Sequence, residues 1–189
     1  LATADAPLTL AFIAAAYALD RALDEDRWRP WLLFGAAIAF AWLAHWRAAM
    51  LYPVGLLLLA ISPRARRAAT GSKFWIAQIV GLCGLLPTLW FNAQHDWAAF
   101  RFHAVERHHW TFEPMSLLQP LEQAVTVGLL LYPLLLWAMA RAWRRRRDPG
   151  TDVVAAMSWA IAAGYFLAGL FADAERTRGL VAQPDQGRW

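Results

Sequence analysis

Apolar residues arrive in long blocks separated by short polar or charged clusters. The blocks cover about 7–23, 31–46, 48–62, 74–94, 121–143 and 153–172. Runs of this length suit α-helices crossing a hydrocarbon core of about 30 Å, so the pattern predicts about six spans. Pro7 sits in the first turn of the first block, where a missing N–H costs nothing, and Thr3 or Asp5 can cap the exposed amides. Pro30 starts the second block, Pro87 lies near the exit of the fourth, and Pro120 opens the fifth. The blocks at 31–46 and 48–62 are short. As one helix they would overshoot the bilayer by about 18 Å at 1.5 Å per residue, so a hairpin turning at His45-Trp46-Arg47 is expected rather than one helix bent near Pro53.

Composition strengthens this reading. Apolar residues make up 59% of the 189 and charged residues 17%, where soluble domains average about 25% charged. The mean hydropathy is +0.33. The fold class expected is all-α: a polytopic transmembrane helical protein forming a single transmembrane domain over residues 1–189. Cys83 is the lone cysteine and falls within an apolar run, so no intrachain disulfide forms. The chain opens without methionine and ends on a polar tail, and it is expected to be part of a longer protein.

Charge then orients the spans. Alternating loops place 12 of the 18 basic residues on one side: Arg21, Arg27, Arg29, Arg64, Arg66, Arg67, Lys73, Arg141 and Arg144 to Arg147. The positive-inside rule makes that side cytoplasmic. The basic clusters are then topology signals and lipid-headgroup contacts, and the high pI gives no reason to invoke nucleic acid. Asp5 and all five histidines fall on the outer side.

The polar chemistry concentrates after the fourth block, in Asn92-Ala-Gln-His-Asp-Trp-Ala-Ala-Phe-Arg-Phe-His-Ala-Val-Glu-Arg-His-His-Trp110. A short interfacial helix is expected within 95–119. Arg107 and His103 lie four apart, on one helix face, and a guanidinium fork suits phosphate oxygens. The plainer reading is an amphipathic helix on anionic headgroups. Asn92, at a helix end, can cap carbonyls or donate to a ligand. Asp5 can be an N-cap, a general base, a sugar-hydroxyl acceptor or a metal ligand. His45 and Arg47 can hold a ligand, or simply sit at the interface with Arg47 reaching a lipid phosphate. The His108-His109-Trp110 cluster is a weak metal signal. Trp90 and Trp97 read as interface anchors. Asp173, Glu175, Arg176 and Arg178 read as a solvated loop, and Glu122 is an isolated acid.

Three stretches carry a family resemblance. Thr3-Ala-Asp5-Ala-Pro7-Leu8 opens a span. Leu86-Pro87-Thr-Leu-Trp90-Phe-Asn92 runs on through Trp97, Phe100, Phe102 and Arg107-His108. Phe171-Ala-Asp173-Ala-Glu-Arg176 follows the last span, with Trp189 beyond it. Together they resemble the family 39 glycosyltransferases, the dolichyl-phosphate-mannose–protein mannosyltransferase superfamily of GT-C membrane enzymes. That resemblance implies transfer of a sugar from a polyprenyl-phosphate donor to a lipid, glycan or protein acceptor. It places the reaction on the periplasmic face of the bacterial inner membrane.

It further implies a catalytic role for Asp5 and a donor-phosphate site drawing on Asn92, Arg101, His103, Arg107, His45 and Arg47. It specifies no cofactor, needs no nucleotide, and is compatible with a divalent metal. The chain departs from the family at two positions. The usual lysine at the hairpin turn is replaced around His45-Trp46-Arg47, and His103 stands where many members have glutamine. The family's first outer loop, with its acidic pair, would precede Leu1. A lipid-linked anion transporter or flippase and a non-catalytic membrane subunit are the alternatives.

Overall fold

The computed structural model describes residues 5–101, 112 and 114–171, with the side chains of Asp5, Ala99 and Met115 left aside. Among these residues the chain is α-helical and has no strand. Helix α1 (Asp5–Glu25) and α2 (Trp28–Ala44) form a first hairpin, reversed at Asp26, whose φ of 46° is a left-handed value that aspartate tolerates. A 3₁₀ turn (Trp46–Met50) leads into α3 (Leu51–Ile61), then α4 (Pro63–Ala68), α5 (Ser72–Cys83), α6 (Leu86–Gln94) and the short α7 (Ala98–Arg101). A second 3₁₀ turn (Pro114–Leu118) precedes α8 (Gln119–Val127), α9 (Leu131–Arg144) and α10 (Thr151–Leu170).

Three stretches are long and apolar enough to cross a membrane: Ala6–Glu25, Ser72–Gln94 and Thr151–Leu170. Trp28–Ala44 and Trp46–Ile61 are apolar but shorter. The chain is an integral membrane helical protein. Between the two shorter helices His45 is extended, with φ −166°, so residues 31–62 are not one helix. The fourth block is continuous apart from an irregularity at Gly84-Leu85. Pro87 has no N–H to give the Cys83 carbonyl, and Gly84 and Leu85 donate three residues back instead of four.

The fifth block differs from a straight span. It breaks at Gly128, which takes φ 109°, and the helical segments on either side bend by 116°. Glycine's lack of a Cβ permits that backbone, and a continuous apolar pattern contains no sign of it.

The buried seam between α1 and α2 is built from small side chains on one stripe: Ala11, Ala15, Ala18 and Ala22 of α1 against Phe34, Ala37, Ile38 and Ala41 of α2. Helix α5 lies as close to α2. A Cβ on Gly35 would stand 2.6 Å from the Ala77 carbonyl oxygen, one on Gly81 would stand 2.7 Å from Ile38, and one on Gly84 would overlap the backbone of Ala39. Small residues allow such approach where lipid supplies no hydrophobic drive between helices. Trp31 anchors this seam edge-on to both Phe34 and Phe74. Helices α3 and α10 complete the core through Val54, Leu58, Val153, Ala156 and Ala160. Large apolar side chains such as Leu10, Leu56, Val125 and Leu130 face outward, the reverse of a soluble protein's surface.

Candidate functional site

The exit of α6 is shaped by Asn92, which is only 5% exposed. Its Nδ2 donates to the Thr88 carbonyl at 2.9 Å, and its Oδ1 accepts from the Phe100 amide at 3.1 Å. Its own carbonyl accepts from the amides of His95 and Trp97. One side chain thus ends α6 and caps α7 across a tight turn. Asp96 and Trp97 within that turn both take left-handed φ, 50° and 57°. For a residue as bulky as tryptophan such a backbone is costly. His95 stacks on Phe91, ring centroids 4.1 Å apart, with Nδ1 2.8 Å from the Phe91 carbonyl oxygen. Of the two roles open to Asn92 in the sequence, the structure displays the capping one.

Replacing Asn92 with alanine is expected to leave the Phe100 amide without its acceptor, at about 1–3 kcal/mol. Faster amide hydrogen exchange across 92–101, with the core helices unchanged, checks it.

His45 and Arg47 occupy the turn between α2 and α3. The His45 Nδ1 accepts from the Arg47 amide at 3.1 Å and so caps the 3₁₀ turn. In that contact Nδ1 is the accepting ring nitrogen. The Arg47 guanidinium lies 5.8 Å above the ring of Tyr165 in α10, a cation–π contact that docks the hairpin turn on that helix. Arg101 closes α7 and is exposed. Asp5 opens α1. His103 and Arg107 lie outside the described residues, as do His108, His109, Asp173, Glu175, Arg176 and Arg178. Among the described contacts, those of the hairpin turn run to α10, and those of Asn92 stay within its own segment. No group of three or more histidine, cysteine or acidic side chains able to hold a metal occurs among the described residues. Phe112 meets Phe171 edge-on and ties the end of the polar segment to the exit of α10.

The opposite end of the bundle holds an ion network that the sequence does not announce. Asp152, 2% exposed, lies in the first turn of α10. Its carboxylate accepts from Ser62 Oγ at 2.5 Å, from Arg64 Nε at 2.9 Å and Nη2 at 2.5 Å, and from the Val153 amide at 2.8 Å. Arg64 also reaches Asp20 at 2.6 Å and Asp24 at 2.5 Å. The hydrogen bond to Asp152 leads in raising the Arg64 pKa above its ordinary value, against the opposing effect of burial. Ser62 doubles as the N-cap of α4, accepting from the Ala65 amide. The loops grouped together by charge, around 20–29, 63–73 and 144–152, therefore meet at one end of the bundle. Basic residues read as topology signals include one that bolts α1, α4 and α10 together. Sequence separation hid this, since Arg64 and Asp152 are 88 positions apart.

Residues 1–91 match the family model of the dolichyl-phosphate-mannose-protein mannosyltransferases. This stretch of the chain is similar to that family. That match includes Asp5, His45 and Arg47 and ends just before Asn92. A curated relative, the lipid A galacturonosyltransferase RgtD of Rhizobium johnstonii, is 32% identical over 121 residues, which is 62% of this chain and 25% of the relative. The chain thus spans about a quarter of the length of that relative. No solved structure matches.

Proposed function

We propose that the protein transfers a sugar from a polyprenyl-phosphate donor to a lipid, glycan or protein acceptor, on the non-cytoplasmic face of the bacterial inner membrane. The observation that carries this reading is the family match over residues 1–91, the half of the chain that contains Asp5 and the His45–Arg47 turn. The relative, a lipid A galacturonosyltransferase, favours a lipid acceptor. The excess of basic residues on the opposite loops supports the sidedness.

The mechanism is an inverting displacement. The acceptor hydroxyl oxygen bonds to the anomeric carbon as the carbon–oxygen bond to phosphate breaks. The hydroxyl proton passes to Asp5 acting as general base, and the lipid phosphate leaves with the bonding electrons. Arg107, with Arg101, His103 and Arg47, supplies positive charge and donors to the departing phosphate. Asn92 and His45 act as positioning residues, each already engaged in shaping the turn that carries an arginine.

With the intact protein and a radiolabelled polyprenyl-phosphate sugar, Asp5→Asn is expected to lower turnover by about 10²–10⁴-fold, the range for losing a general base. Arg107→Ala should weaken donor use, and Arg107→Lys should restore only part of it, because a point charge lacks the planar fork. Normal turnover in both Asp5→Asn and Arg107→Ala would remove these assignments. A lipid-linked anion transporter is the second reading, favoured by the helix break at Gly128. Movement of the intact lipid-linked donor across vesicles without sugar transfer would select it.

A further inference from the structure

We infer that α8 does not cross the membrane but lies in its surface, seated by an apolar face in the leaflet at the end of the bundle away from the Arg64–Asp152 network. Its position follows from where its two ends are held. The 3₁₀ turn before it packs on α10, and a Cβ on Gly169 would run into the side-chain amide of Gln119, the first residue of α8. Gly169 is the last residue but one of α10. Beyond α8 the chain returns along α10, where Trp159 Nε1 donates to the Met139 carbonyl at 3.1 Å. From that contact α10 reaches Gly169 after about 15 Å, and α9 runs back to Leu131 over about 12 Å, at 1.5 Å per residue. The two ends of α8 therefore sit at nearly one level, close to the end of a membrane-crossing helix.

The bend agrees with this placement. Ser116–Val127 and Leu131–Arg144 turn by 116°, so with α9 upright beside α10, α8 runs nearer to the membrane plane than to its normal. The turn is held at both sides by one residue. The Gly128 amide donates to the Ala124 carbonyl at 3.1 Å and closes α8, and the Gly128 carbonyl accepts from the Tyr132 amide at 2.9 Å and opens α9. Its φ of 109° with ψ 136° is a backbone that glycine adopts without strain.

Helical spacing divides this segment into two faces. Leu118, Leu121 and Val125, three and four apart, form an apolar stripe, and Glu122, Gln123 and Thr126 share the other side. The stripe lies open: Leu121 is 66% and Val125 76% exposed. In water it would be an uncovered apolar patch, whereas at the boundary of headgroups and acyl chains it is buried. The level selects the lipid leaflet as its occupant. The same apolar surface continues through Leu130, 90% exposed, into the exposed leucines of α9 at 134–136. Glu122 is the one charge on α8, so the attachment rests on apolar burial and not on attraction to anionic headgroups.

The test attaches a nitroxide to Leu121→Cys, Gln123→Cys, Val125→Cys or Thr126→Cys, one at a time, with the other cysteines replaced. The intact protein is reconstituted in phosphatidylcholine vesicles, since the attachment needs no anionic lipid. All four side chains are exposed, so the labels disturb no packing. Labels at 121 and 125 should meet oxygen more often than a water-soluble nickel chelate, at a depth of about 5–10 Å below the headgroups. Labels at 123 and 126 should show the reverse preference. Nickel prevailing at all four positions would make α8 a solvated loop. Few collisions with either probe at 121 and 125 would place it beneath another part of the protein, and steady deepening from 121 through 126 would restore a continuous span. Each of these three results overturns the proposal.

Discussion

Arg64→Ala is expected to cost about 3–5 kcal/mol of stability, because it leaves a buried carboxylate without its counter-charge. Asp152 would keep only the Ser62 hydroxyl and the Val153 amide. The loss arises from stranding Asp152 and does not measure the net worth of the pair. The combined change Arg64→Met with Asp152→Leu should accordingly recover most of it, as apolar replacements of buried ion pairs often do. Thermal unfolding in detergent of Arg64→Ala and of the combination checks both parts. If Arg64→Ala melted like the parent, the network would be a surface contact with no hold on α10.

Gly84→Ala is the second large effect, expected to cost about 1–3 kcal/mol through overpacking. The added methyl would overlap the carbonyl oxygen, carbonyl carbon and Cα of Ala39, none of which is the end of a flexible side chain. Its backbone is ordinary right-handed helix, with φ −64°, so the penalty is steric and not conformational. Gly55→Ala is the matched control. A Cβ there meets nothing within 4 Å, and alanine's better helix propensity, about 1 kcal/mol, makes that variant neutral or slightly more stable. Equal destabilisation by the two alanines would remove the close α2–α5 seam from the account.

Much of the helical plan was legible in the chain. Blocks of apolar residues gave the helices, the polar interruption at His45-Trp46-Arg47 gave the turn, and Pro30 and Pro120 each fell in a first turn. Three features were not legible, each for a physical reason. The break at Gly128 depends on one backbone conformation that an apolar average conceals. The Ser62–Arg64–Asp152 contact joins α3–α4 to α10, and local pattern carries no information about distant partners. The glycines of α2 and α5 look incidental until the facing helix is placed against them. At the candidate site, sequence chemistry picked out Asn92 but not which of its roles it takes. Its bonds to Thr88 and Phe100 make it the staple of the turn that presents Arg101.

The central claim, sugar transfer from a lipid-linked donor, is tested most directly by donor choice. The intact protein in membranes is offered a radiolabelled polyprenyl-phosphate sugar and, separately, the corresponding nucleotide sugar. The account predicts label in the acceptor from the polyprenyl-phosphate donor alone, as expected of a chain whose match is to mannosyltransferases using a lipid-phosphate sugar. Transfer from the nucleotide sugar, with none from the lipid-linked donor, would contradict it.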